Sequence, residues 1–205
     1  MKHEWKKHEK NLYLPKNVPA LISVPKLRYF AIEGKGNHNS KAFSEGVAVL
    51  YSLAYSVRMM PKSGYVPDGY FEYAVYPLEG LWQGCDPADK DAFVYTIMIR
   101  QPDFVTRHVF ERAFESVERK KPHPLLSEAF FCETEDGLSL QMLHVGDYGD
   151  EPHTFAKMQA FIDQNNLCRR NGIHREIYLS DPNRVESHKL KTVLRCFVSG
   201  NKGAS

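Results

Sequence analysis

The chain has 205 residues, enough for one sizeable domain, with 42% hydrophobic and 25% charged residues, ordinary values for a globular fold. A net charge of +2 supplies no basic stripe for gripping nucleic acid, and no run approaches the ~20 apolar residues of a membrane helix. The composition leans aromatic instead, with 11 Tyr, 12 Phe and 2 Trp, side chains that fill cores and line ligand pockets. Cys85, Cys132, Cys168 and Cys196 lack the short spacings of a zinc knuckle or redox motif, so reduced thiols and a cytoplasmic location are expected.

In chain order, residues 1–20 are polar, basic and punctuated by proline, and read as a surface arm or short helix. Residues 27–34 alternate as a strand. A helix is expected from Asn39 or Ser40, either of which can cap it, with Phe43, Val47, Leu50, Ala54 and Val57 on one face and Pro61 and Gly64 as its stop. Aromatic and β-branched runs at 70–82 and 92–100 predict two strands, with a turn over 83–91. A second helix is expected from Pro102-Asp103 to about Lys120, ended by Pro122 and Pro124. Strands at 128–133 and 138–146 would join across Glu135-Asp136-Gly137, because Asp-Gly is a hairpin signal. A third helix starts at Asp150-Glu151-Pro152, buries Phe155, Met158 and Ile162, and is expected to close at Asn171-Gly172. Strands at 173–179 and 192–198 complete the chain.

This order predicts an α+β fold of two tandem β-α-β-β modules with an antiparallel sheet, helices on one side and a central ligand cleft. Module one spans about 26–101 and module two about 138–199, with a linking helix and strand at about 102–134 and an arm at 1–20. Together they form a single domain over 21–200.

The chemistry concentrates on a few segments. Along 174–180, His174, Glu176, Tyr178 and Ser180 share one strand face, and Ile177 and Leu179 point the other way, into the helices. The plain reading, a solvated sheet face, is favoured by the pattern alone. Tyr73 and Trp82 on or after another strand, and His144 with Tyr148 ahead of a helix, favour a pocket. Aromatic walls around a carboxylate suit planar or cationic ligands. For Trp82 and Tyr148 taken singly, core filling stands equally. Gly34-Lys35-Gly36 lacks the spacing of a phosphate loop, no serine-hydrolase elbow occurs, and His144, His153 and His174 make a poor metal set, so no metal and no cofactor are expected.

Over about residues 20–200 the chain resembles the GyrI-like family. The carriers are Ile32-Glu33-Gly34-Lys35-Gly36-Asn37, Leu78-Glu79-Gly80-Leu81-Trp82, Leu143-His144-Val145-Gly146-Asp147-Tyr148 followed by Glu151-Pro152, and Glu176-Ile177-Tyr178-Leu179. It departs from the family pattern at His38, where Pro is expected, and at Gln83, where a second Trp is common. The resemblance implies a duplicated β-α-β-β fold and a cleft in which a Glu at the position of Glu176 meets cationic or planar aromatic compounds. It also implies that the chain is similar to stand-alone members, some of which hydrolyse cyclopropane-bearing, DNA-alkylating natural products.

The resulting expectation is a planar electrophile bound by Trp82, Tyr148, Tyr73, His144, Glu176 and Tyr178, and hydrolysed with Glu176 and Tyr178 as catalytic residues. Glu176, its pKa raised by burial, would be the general base. The partner is a planar aromatic or cationic small molecule, with no direct nucleic-acid binding. The alternatives are a non-catalytic drug-sequestering module, or a protein-interaction module of the gyrase-inhibitor type, whose acidic surface the near-neutral charge disfavours.

Overall fold

The computed structural model describes residues 2–83 and 93–200. Two short helices, α1 (Trp5–His8) and α2 (Lys10–Tyr13), lead into β1 (Ala20–Lys35), α3 (Lys41–Met59), β2 (Leu78–Gln83) and β3 (Val94–Gln101). After α4 (Arg107–Lys120) come β4 (Phe130–Val145), α5 (Glu151–Gln164), β5 (Leu167–Tyr178) and β6 (Lys191–Gly200). Strand, helix, strand, strand thus occurs in that order before α4 and again after it.

The expected antiparallel sheet closes on itself into a barrel in the order β1-β3-β2-β5-β6-β4. Closure depends on the length of β1, which pairs with β4 from Ala20 to Ala31 and with β3 from Arg28 to Lys35. The helices pack outside. Phe30, Ile32, Ile97 and Ile99 share a core with Leu50 and Leu53 of α3 and Val109 and Ala113 of α4, whereas Leu140, Met142, Leu194 and Cys196 meet Met158 and Ile162 of α5.

The inside of the barrel is charged. Arg175 is fully buried, forks onto Asp136 at 2.7 and 2.8 Å, and donates to Glu79 at 2.9 Å. Arg195 donates to Gln141 at 2.9 Å and to the Leu12 carbonyl at 2.7 Å. Buried ions persist only when paired and hydrogen-bonded in this way. The N-terminal segment closes the network. Tyr13 is buried, Gln141 donates to the Asn11 carbonyl, and Glu9 pairs with Arg100. The segment read as a surface arm or short helix thus forms two short helices that plug the barrel, because it carries apolar and charged groups that complete it.

Several expected boundaries move for local reasons. Residues 128–146 form no hairpin. Asp136 points in to Arg175, Gly137 adopts φ +63°, and β4 runs straight through opposite Val24 and Lys26. Of the run at 70–82, only Leu78–Gln83 is strand; Tyr73 makes a single bridge to His3. The second helix begins at Arg107, capped by Thr106 rather than at Pro102. The third ends at Gln164, where Asn166 turns left-handed (φ 51°), and Asn171-Gly172 falls within β5 at a shift of register. The predicted turn at 83–91, Cys85 and the start of the strand expected at 92 lie, apart from Gln83, outside the described residues.

Candidate functional site

Adjacent residues of β5 have opposite fates. Arg175 points into the barrel and Ile177 shares its side by alternation, so the expected placement of Ile177 under the helices is reversed. His174, Glu176 and Tyr178 face outward, at the seam between α3 and α5. Phe43 of α3 lies against Trp82 (ring centroids 5.9 Å) and Phe155 of α5 meets His174 edge-on at 4.9 Å.

Glu176 is only 2% exposed. Its Oε1 lies 3.0 Å from His174 Nε2, and its Oε2 accepts from the Tyr178 hydroxyl at 2.7 Å. The Trp82 indole donates to that hydroxyl at 2.9 Å. His38 Nε2 lies 3.2 Å from Glu176 Oε2 and 3.1 Å from the Tyr178 oxygen. Tyr178 spends its proton on Glu176, so both oxygens are acceptors toward His38, whose Nε2 carries the hydrogen.

The His38 ring is held by aromatics. Its centroid is 4.2 Å from that of Trp82 and 5.0 Å from that of Tyr148, with the Tyr148 ring parallel to within 2°. Tyr178 stands edge-on at 6.0 Å. Gly80, opposite Glu176 in the ladder, makes room for this arrangement. A Cβ there would lie 2.8 Å from Trp82 Nε1 and 3.2 Å from the Tyr178 hydroxyl.

Burial by itself would raise Glu176, but the hydrogen bonds and nearby charge of His174 and His38 prevail and hold its carboxyl well below the usual range. This overturns the expected raised pKa. The raised carboxyl is a neighbour. Glu151, at the start of α5, is 7% exposed, and its Oε1 is buried without a hydrogen-bond partner among the described residues. Burial, then the charges of Glu176 and Asp147, push it up to about 9. The site thus pairs an ionised carboxylate with a protonated one. Burial and Glu176 also push the Tyr148 hydroxyl up to about 12.

Of the expected site residues, Trp82, Tyr148, Glu176 and Tyr178 come together. Tyr73 does not. Its ring partners among the described residues are Phe71, Tyr76 and Phe104, beside the N-terminal plug. Glu79, one residue before Gly80, points into the barrel. His144 serves as a pin. Its Nε2 donates to the Asp147 carbonyl and its Nδ1 accepts from Thr154, fixing the turn that presents Tyr148. His38, Gly80 and Glu151 went unrecognised as site residues, since a loop histidine, a strand glycine and a helix-start glutamate have many ordinary uses.

A buried carboxylate walled by stacked rings, on the outside of a closed α+β barrel, fits the class of small-molecule-binding proteins. A family model for the GyrI-like small molecule binding domain matches residues 18–195, and the chain belongs to that family. A hydrolase from Listeria innocua is 38% identical with a TM-score of 0.90, over 97% of this chain and 100% of that one. An uncharacterized conserved protein from the same organism is 39% identical with a TM-score of 0.92 at the same coverage. The C-terminal domain of EcmrR shares the fold at 10% identity, with a TM-score of 0.53 over 89% of this chain and 97% of that one. No curated protein matches the chain. No helix among the described residues is long and apolar enough to cross a membrane.

Proposed function

We propose that the protein binds a planar electrophile between Trp82, Tyr148 and Tyr178 and hydrolyses it, in the favoured case by opening a strained cyclopropane. The carrying observation is the ionised, 2%-exposed Glu176 enclosed by those rings. Similarity to a hydrolase at 38% identity supports it. Water would attack a ring carbon, forming C–O as a C–C bond breaks, and the electron pair passes to the electron-withdrawing part of the ligand, which is then protonated from solvent. Glu176 takes the water's proton once the ligand has displaced His38, whose hydrogen bond and charge help hold the carboxyl low, and the Tyr178 hydroxyl keeps its hydrogen bond to Oε2. Stacking on Tyr148 and Trp82 orients the electrophile.

The second reading is a binding module without turnover. A carboxylate behind aromatic faces also suits a flat cation. Protein mixed with planar electrophiles and with cationic aromatics, followed by tryptophan fluorescence and mass spectrometry, separates the two. Hydrolysis predicts a water-added product that disappears in Glu176→Gln. Full turnover in that variant removes Glu176 from the chemistry, and quenching with every ligand recovered unchanged leaves a binding module.

A further inference from the structure

The ring that occupies the aromatic cage belongs to the protein itself. His38 is flat, lies parallel to Tyr148 and close over Trp82, and turns an N–H toward Glu176 Oε2 and the Tyr178 oxygen. These are the contacts that a stacked ligand with one hydrogen-bond donor would make. The side chain is 22% exposed, so it sits at the mouth of the site, whereas Glu176 lies at the bottom.

We propose that His38 is a built-in occupant of the ligand site, and that the protein takes flat heteroaromatic groups bearing an N–H or positive charge which bind by replacing the His38 ring over Trp82. This rests on the reading of the cage as the ligand site and names the class of group it accepts. It does not rest on hydrolysis.

Rotation of one side chain suffices for the exchange. The loop backbone is tied independently of the imidazole. Gly36 N–H donates to the Phe93 carbonyl, Ser40 N–H to the Asn37 carbonyl, and the Ser40 hydroxyl caps α3 through Phe43 N–H. The imidazole itself is held by stacking and by hydrogen bonds to two oxygens, and a ligand of the proposed class restores both kinds of contact. Hydrogen bonds and charge from His38 are among the influences holding Glu176 low. A ligand that removes His38 without restoring them lets burial raise the carboxyl, making it a better proton acceptor while the ligand is present.

A site open a few per cent of the time binds about ten- to a hundredfold more weakly than one held open. The test uses benzimidazole and imidazole as probes, with tryptophan fluorescence and isotope-edited NMR of the histidine side chains. His38→Ala should bind benzimidazole at least about tenfold more tightly than wild type. It should also take up free imidazole, which wild type should not bind saturably. In wild type, saturating benzimidazole should move the His38 ring resonances toward those of a solvent-exposed histidine, which keeps the test valid should His38→Ala fold poorly. Equal benzimidazole affinity in the two proteins, no binding to either, or unmoved His38 resonances at saturation would each overturn the proposal. Loss of hydrolysis as a function would leave all these readouts in place.

Discussion

Glu151 ties pH to stability through one buried group. Its carboxyl is pushed from 4.5 to about 9 by burial and the charges of Glu176 and Asp147. The folded chain therefore keeps a proton that the unfolded chain has released, and stability falls as pH rises from about 4.5 toward 9. Each pH unit in that window is worth about 1.4 kcal/mol, so this group costs the wild type on the order of 4 kcal/mol between pH 5 and pH 8. Glu151→Gln keeps the shape and cannot ionise. Urea unfolding of both proteins at the two pH values should show the variant gaining on wild type by several kcal/mol at pH 8 and by little at pH 5. Midpoints that shift in parallel would refute the buried, protonated assignment. Glu176, Asp147, Tyr148 and Tyr178 all act on or respond to Glu151, so Glu176→Gln should flatten the same alkaline slope in part.

Glu176 has the opposite sign. Its folded pKa lies below the unfolded 4.5, so its contribution is present above about pH 4.5 and lost as pH falls below it; Glu176→Gln should blunt acid unfolding measured by circular dichroism. Arg175→Met strands the carboxylates of Glu79 and Asp136 in the barrel and should cost about 3–5 kcal/mol in urea unfolding, whereas the triple change with Glu79→Gln and Asp136→Asn should recover much of it. Gly80→Ala places a methyl 2.8 Å from Trp82 Nε1 and should shift tryptophan emission as the bond to Tyr178 breaks; an unchanged spectrum would contradict the geometry. Tyr13→Ala removes an aromatic ring buried in the plug and should destabilise by about 3 kcal/mol, far beyond the effect of changing a surface arm.

The legible parts of the sequence were those governed by short-range pattern. The apolar positions at 43, 50, 54 and 57 are legible because one helix face obeys one period, and of the two caps offered, Asn39 and Ser40, the structure uses Ser40. The face shared by His174, Glu176 and Tyr178 followed from strand alternation, but which face met the helices did not. Alternation is symmetric, and only Arg175 pairing with Asp136, 39 residues away in sequence, decides the direction. The false hairpin at Asp136-Gly137 has the same origin, since the turn signal was local and the pairing that overruled it was not. Barrel closure likewise depends on β1 serving two partners along its length. His38 was visible only as a departure from a family pattern; its position over Trp82 depends on the seam between β2 and β5, which no local signal encodes.

The charged interior also bears on why the cage can be built at all. Slipping β5 by one residue would turn Glu176 inward and Arg175 outward, exchanging an ion pair for a buried repulsion beside Glu79 and Asp136. A purely aliphatic interior would resist that slip less, because one branched side chain replaces another at modest cost. Arg175 reaches β2 through Glu79 and β4 through Asp136, while Arg195 of β6 reaches β4 through Gln141 and the plug through the Leu12 carbonyl. Four strands and the N-terminal segment are thereby indexed to one another from within. The outer face then inherits its register: Gly80 falls opposite Glu176 and Trp82 opposite His174. The hydrogen-bonded row from Trp82 through Tyr178 to Glu176 is thus held in register by residues on the opposite face of the sheet.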